Sequence, residues 1–263
     1  MTRKIYESWE NYDEWCKTVR QQAGEPYAGC SIGVLVMDLW YPKVPGNVAN
    51  SCTYDYPVSF KVISQEDCNT WELMKGDPRV LEPIIEKLRE FEREGVRAVA
   101  CACGYFARFQ KELAASVNIP IWTSSLIQLP WIKIGLKDDQ KIGIICAIEE
   151  LADGNLFNAI GIEADRLVIK GMSKNMDKMS GFEGIMNNAG PLDNGLLADQ
   201  MAALAREMVE QHPEIGAFLI ECSDLCPYSL DVQKAVSLPV FDFITMINWM
   251  HQGVSQKRYY GIM

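Results

Sequence analysis

Two cysteines carry the chemical promise of this 263-residue chain. Cys103 ends the run V-R-A-V-A-C-A-C at 96–103, and Cys222 ends I-G-A-F-L-I-E-C at 215–222. Each run reads as a buried strand with a thiol at its carboxyl end. A further strand follows each, announced by I-P-I-W at 119–122 and L-P-V-F at 238–241. Pro120 lies 17 residues past Cys103, and Pro239 lies 17 past Cys222. Two thiols facing each other across a bound acid can take and give an α-proton without a cofactor. The carbanion charge then spreads onto the substrate carboxylate, where hydrogen-bond donors hold it. This needs one thiolate and one thiol at rest. A thiol at a strand end that runs straight into a helix meets the positive end of the helix dipole, so the expectation is a lowered pKa. Gly104 lets a ligand approach backbone N–H groups. Ser223 is a small hydroxyl donor, and Thr123, Ser124 and Ser125 end the next strand. Such donors can hold a carboxylate. Asn47, Tyr105 and Tyr228 join the candidate site through their position beside the motifs.

The other thiols have blander readings. Cys30, Cys101 and Cys146 read as core, because cysteine is among the most often buried residues. Strand alternation puts Cys101 on the same side as Cys103. The C-x-C at 101–103 and C-x-x-x-C at 222–226 could jointly hold zinc, although the spacing is not a common zinc pattern. Nine cysteines cannot all pair within one chain, and the polar amino terminus lacks the apolar core of a signal peptide. The expectation is a reducing cytoplasm and free thiols. Only His212 and His251 are available for histidine chemistry, and neither G-x-x-x-x-G-K nor G-x-G-x-x-G occurs. The net charge of −10 argues against binding nucleic acid or an anionic membrane. The longest uncharged stretch, 113–132, contains Asn118, Pro120, Gln128 and Pro130 and does not read as a membrane span.

The elements that must position these thiols come in two sets. I-G-V-L-V at 32–36 has a near copy, I-G-I-I-C at 142–146, 110 residues later; the cysteine motifs are offset by 119. This pattern predicts an ancient duplication into two similar lobes. An amphipathic helix precedes each cysteine strand. One carries Leu81, Ile84, Ile85 and Leu88 and stops near Gly95; the other carries Leu197, Met201, Leu204 and Met208 and stops at His212-Pro213. Alternating strands and helices predict an α/β fold of two pseudo-symmetric lobes, each a parallel sheet flanked by helices. Ligands bind at the carboxyl ends of such strands, here in the cleft between lobes. The expected boundaries are a helical extension at 1–26, carrying Trp9, Tyr12, Cys16 and Val19, a first lobe at 27–134, a second at 135–240 and a terminal segment at 241–263. Loops at 40–57 and 172–195 are long enough to read as functional lids.

At these residues the sequence resembles the aspartate/glutamate racemase superfamily. The matching segments are A-C-G-Y-F-A-R-F-Q at 102–110, T-S-S-L-I-Q-L-P at 123–130, L-I-E-C-S-D-L-C-P-Y-S at 219–229 and L-P-V-F-D at 238–242. Y-P-K-V-P-G-N-V-A-N at 41–50 is similar to a substrate loop found in one branch of it. The resemblance covers residues 28–252. It implies a cofactor-independent enzyme acting on a small carboxylate, often as a homodimer, with its carboxyl end packed back on the first lobe. It implies Cys103 and Cys222 as the catalytic pair, with Cys226 a weaker alternative to Cys222. Amino-acid racemases of the superfamily commonly place Asn or Thr after each cysteine, where this chain has Gly104 and Ser223, and the loop's P-G-D reads P-G-N here, with Asn47. C-G-Y-F with E-C-S-D-L-C-P-Y also resembles the branch that contains algal dimethylsulfoniopropionate lyases. The first reading is therefore a racemase or epimerase of a small carboxylate. The alternative is a lyase in which the same α-proton abstraction ends in β-elimination. A non-catalytic binding protein for small acids is a third reading.

Overall fold

The computed structural model describes residues 29–173, 180–188, 192–259 and 262. The extension expected over 1–26 lies outside them. The first sheet contains β1 (Ile32–Met37), β2 (Val58–Ile63), β3 (Ala98–Ala102) and β4 (Ile121–Trp122), in the order β2-β1-β3-β4. The second contains β5 (Lys141–Cys146), β6 (Leu167–Gly171), β7 (Ile215–Ile220) and β8 (Val240–Phe241), in the order β6-β5-β7-β8. Every pairing is parallel. The two sheets thus share one topology, and the fold is two α/β lobes built on one plan.

β1 is an unbroken β-branched and aliphatic run because both of its faces are covered. Ile32, Val34 and Val36 pack on one side, with Ala98, Ala100 and Ala102 of β3 and with the helix α9 (Phe243–Val254). Leu35 and Met37 pack on the other, with Val99 and Cys101 of β3 and with Ile84, Leu88 and Phe91 of α2 (Leu81–Arg93). Pro83 falls in the first turn of α2, where its missing N–H costs nothing. Both first strands carry a glycine at the same place. A Cβ on Gly33 would lie 2.8 Å from the Phe91 ring, and one on Gly143 would lie 2.7 Å from the Phe218 ring. At both glycines a phenylalanine ring lies against the strand, from α2 in the first lobe and from the neighbouring β7 in the second.

Six shorter helices, α1 (Thr70–Lys75), α3 (Gln110–Ser116), α4 (Leu129–Ile134), α5 (Gly154–Ala159), α6 (Ser180–Met186) and α8 (Ser229–Val236), and the longer α7 (Asn194–Gln211) complete the helices of the described residues. α7 buries Leu197, Met201, Leu204 and Met208 on the second sheet, as its periodicity predicts. A shared core joins the lobes: Tyr105, Leu126, Leu129 and Ile132 from one side meet Ile144, Leu156, Phe157 and Leu219 from the other. α9 follows β8 yet packs on β1 and β3, started by a capping box between Asp242 and Thr245. No helix among the described residues is long and apolar enough to cross a membrane.

Candidate active site

β3 and β7 end at equivalent places, and both deliver a cysteine to one cavity of about 210 Å³ between the lobes. Cys103 continues the Val99–Cys101 face of its strand, and Cys222 continues the Phe218–Ile220 face of its own. Helix α1 contributes Thr70, Trp71 and Met74 to the wall, and α6 contributes Phe182, Ile185 and Met186. The stretch 172–195 is therefore not simply a loop: Phe182, Ile185 and Met186 have helical spacing that the surrounding glycines and asparagines obscure.

The thiols are not activated by helix dipoles. Cys103 leads into a 3-10 turn (Gly104–Phe109), and an α-helix begins only at Gln110; after Cys222, α8 begins only at Ser229. Burial pushes both thiols well up instead. For Cys103 the next cause is the charge of Glu221, and for Cys222 it is the charges of Asp224 and then Glu221. A weaker opposing pull comes in each case from the backbone N–H two residues on, that of Tyr105 or Asp224. The two thiols are thus set alike, and both rest protonated. Each also resists ionisation of the other, because Cys222 feels the charge of Cys103.

The other candidate residues fare differently. Gly104, Tyr105 and Ser223 line the cavity. The Tyr105 hydroxyl is already engaged: it donates to Ile148 O at 2.8 Å and accepts from Ile148 N–H at 3.2 Å. Thr123, Ser124 and Tyr228 are buried away from the cavity. The Thr123 hydroxyl donates to Gln110 Oε1 at 2.8 Å, Ser124 caps the following turn at Leu126 N–H, and the Tyr228 hydroxyl donates to Asn194 Oδ1 at 2.9 Å. Ser125 donates across the lobes to Ile220 O at 2.8 Å. These hydroxyls support the fold rather than meet a ligand. Asn47 stands behind the wall. Its Nδ2 donates to Tyr41 Oη at 2.8 Å and toward Asp224 Oδ1 at 3.4 Å, and the Tyr41 hydroxyl donates to the same Asp224 oxygen. The loop at 40–57 braces Asp224 of the opposite lobe. Its Gly46 has φ +97° and passes close enough to Pro227 that a Cβ would lie 2.8 Å from Pro227 Cα.

Of the thiols read as core, Cys101 and Cys146 are fully buried, whereas Cys30 is only half-buried, just ahead of β1 where the sheet has not yet closed over it. Cys226 is buried in the cluster around α9 and does not line the cavity. Among the described residues no group of three His, Cys, Asp or Glu side chains is placed to hold a metal ion.

Sequence reasoning passed over Glu221 and Asp224, the two acids that flank Cys222. Glu221 is fully buried on the Leu219 side of β7, facing the first lobe. Neither carboxyl oxygen has a hydrogen-bond partner; the Ala147 N–H tempers the charge only from outside bonding geometry. Burial, with the charge of Asp224, pushes its pKa up to about 8. The signal for Glu221 was Gly104. A Cβ there would lie 1.9 Å from Glu221 Oε1 and 2.5 Å from Glu221 O, so the glycine clears space for the acid. The cavity's ionisable lining is acidic, and among the described lining residues there is no lysine, arginine or histidine.

The chain has the aspartate/glutamate racemase-like fold. An aspartate racemase homologue from Pyrococcus horikoshii OT3 superposes with a TM-score of 0.56 at 16% identity, over 86% of this chain and 99% of that one. Unliganded arylmalonate decarboxylase superposes at 0.54 and 14% identity, over 88% and 94%. In sequence, a dimethylsulfoniopropionate lyase of Durusdinium sp. clade D is 28% identical over 239 residues, 88% of this chain and 77% of that protein. Dimethylsulfoniopropionate lyase 3 of Emiliania huxleyi (strain CCMP1516) is 29% identical over 244 residues, of which this chain spans 62% of the length. No family model matches the chain. The racemase-like fold read from the cysteine motifs therefore stands, and the relatives named by sequence are dimethylsulfoniopropionate lyases.

Proposed function

We propose that this chain is a cofactor-independent lyase that removes dimethyl sulfide, or a similar neutral leaving group, from a small carboxylate bearing an onium group. The observation that carries this reading is the acidic lining of the cavity: two thiols, Glu221 and Asp224, with no cationic side chain among the described lining residues. A dicarboxylate such as aspartate would set a second carboxylate against two acids whose pKa values burial already raises, with no cation among the described lining residues to receive it. A zwitterion of the dimethylsulfoniopropionate type brings a positive end that the acids attract. The relatives named as lyases of that compound support the same choice.

In the proposed reaction one thiolate takes the α-proton. The new electron pair forms the Cα–Cβ double bond, the Cβ–S bond breaks, and its electrons leave with neutral dimethyl sulfide. The other product is acrylate, and one proton stays behind on the enzyme. The hydroxyls of Ser223 and Thr70, which line the cavity, supply donors for the substrate carboxylate. Methionine and phenylalanine side chains from α1 and α6 surround the leaving sulfide.

The racemase reading keeps one observation in its favour: both thiols have matched settings, as two-base proton exchange requires. Proton NMR in D₂O separates the two readings, using dimethylsulfoniopropionate, both enantiomers of aspartate and glutamate, and other amino and hydroxy acids. Vinyl signals that vanish in Cys103→Ser or Cys222→Ser support the lyase. Loss of the α-proton with an intact skeleton and chiral inversion would overturn it in favour of a racemase.

A further inference from the structure

The two oxygens of the Asp224 carboxyl have different surroundings. All three hydrogen bonds that it takes from the described residues fall on Oδ1: from the Tyr41 hydroxyl, from Asn47 Nδ2 at 3.4 Å and from the Ser223 hydroxyl at 3.5 Å. Oδ2 takes none of them. It is not among the buried atoms that lack a partner, and Asp224 lines the cavity. Tyr41 and Asn47 belong to the loop at 40–57 of the first lobe, so a segment of the opposite lobe fixes one oxygen and leaves the other open. Lys43 of the same loop stands behind. Its ammonium donates to Leu39 O and Tyr41 O and lies 4.3 Å over the Tyr41 ring, and Lys43 is not among the lining residues.

Glu221 is an independent sign of what this wall lacks. It lines the same cavity, is fully buried and has no hydrogen-bond partner on either oxygen, where a buried carboxyl is ordinarily paired. Its oxygens are sealed from water, so a cation in the cavity can offset its charge without bonding to it. The amide oxygens of the wall are taken: Gln65 Oε1 by the Thr70 N–H and Asn188 Oδ1 by the Trp40 N–H. Much of the remaining wall is soft and apolar, with Met37, Trp71, Met74, Phe182 and Met186. A primary ammonium brings three N–H donors to such a wall and pays for those left unmet. A fully methylated sulfonium or ammonium brings none. It needs one carboxylate for its charge, and rings and thioethers for its methyl groups.

We propose that Asp224 Oδ2 seats the cationic end of the substrate, and that the site selects fully alkylated onium acids over primary amino acids of the same length. Tyr41 and Asn47 are positioning residues that act through Asp224. Both thiols feel the Asp224 charge, so a cation held there lies beside the reacting sulfurs. The same cation offsets the charge that opposes a thiolate at Cys222.

The inference rests on the onium-acid reading, and its test needs no turnover. Isothermal titration calorimetry compares 3-(trimethylammonio)propionate with 4,4-dimethylpentanoate, which has the same shape without the positive charge, and with 3-aminopropionate. Wild type is expected to bind the trimethylammonio acid about tenfold or more tighter than either of the others. In Asp224→Asn its advantage over the uncharged isostere shrinks to about threefold or less, while the isostere binds as well as before or better. Thermal unfolding shows whether the variant keeps its fold, and the wild-type comparison stands without any variant. No binding of the trimethylammonio acid at about 10 mM, no preference for it in wild type, or a preference kept in Asp224→Asn overturns the proposal. If dimethyl sulfide is released from dimethylsulfoniopropionate but the preference is absent, this inference alone falls. If the preference is found but no sulfide is released, the lyase reading alone falls.

Discussion

Gly104→Ala separates two explanations for a glycine beside a candidate catalytic cysteine. If Gly104 exists to let a ligand reach the backbone, a methyl group there weakens substrate binding and leaves stability alone. The geometry argues otherwise. The new Cβ would lie 1.9 Å from Glu221 Oε1, 2.3 Å from its Cδ and 2.5 Å from its backbone oxygen. The first two contacts can be relieved by turning a side chain that is itself fully buried; the third needs β7 to move. Overpacking a close-packed interior costs about 1–3 kcal/mol, and a backbone clash places this case at about 2–3 kcal/mol. For a chain of this size that lowers the thermal midpoint by about 4–12 °C. Glu221→Ala in the same molecule removes the side-chain contacts but not the backbone one, so the double variant regains about half of the loss, a coupling of about 1 kcal/mol. Differential scanning calorimetry on the four proteins of the cycle reads this directly. An unchanged midpoint in Gly104→Ala, or a double variant no more stable than the single, refutes the argument.

Three further outcomes follow from the same site. Glu221 has a folded pKa raised from 4.5 to about 8, so its contribution to stability is lost as pH climbs through that window. Glu221→Gln is therefore expected to match wild type near pH 5 and to exceed it by a few kcal/mol at pH 8 in urea unfolding; parallel stability curves would refute this. Tyr41→Phe removes the hydroxyl that donates to Asp224 and costs about 1.5–3 kcal/mol. Asn47→Ala on top of it adds less than its separate effect, since both serve one network; full additivity in denaturant titrations would dissolve that network. Thr123→Val leaves Gln110 Oε1 with the Thr123 N–H alone, at 3.0 Å, and lowers stability by about 1 kcal/mol. Steady-state kinetics should show KM unchanged, and a raised KM would return Thr123 to the substrate site.

Much of the fold was legible because duplication repeats its signals. The I-G strand copies, the paired cysteine strands and the two Pro-strands fall where the sheets have β1 and β5, β3 and β7, β4 and β8. α2 and α7 follow their apolar stripes. β2 and β6 were not singled out, since V-S-F-K-V-I and L-V-I-K-G each carry a lysine and an intermediate burial pattern at the sheet edge. Both thiols meet in one cavity, as the matched spacing suggests. The hydroxyls did not follow, because a strand-end Thr or Ser can serve the fold as readily as meet a ligand: Ser124 caps a turn and Thr123 bonds the Gln110 side chain. Glu221 stayed hidden for a different reason. A buried, unpaired carboxyl breaks the rule that charged residues face water, and its only trace in sequence is a glycine 117 residues away.

The core shared by the lobes has a consequence for how small molecules come and go. Leu129, Ile132, Leu156, Phe157 and Leu219 are each at most 5% exposed at that joint. Parting the lobes far enough to wet them would cost roughly 1.5–3 kcal/mol for each large side chain. The joint is a weld and not a hinge. The other walls of the cavity are lighter: Trp71, half exposed on the short helix α1, lines it together with residues of α6. These two helices have six and seven residues, and displacing either disturbs far fewer buried contacts than parting the sheets.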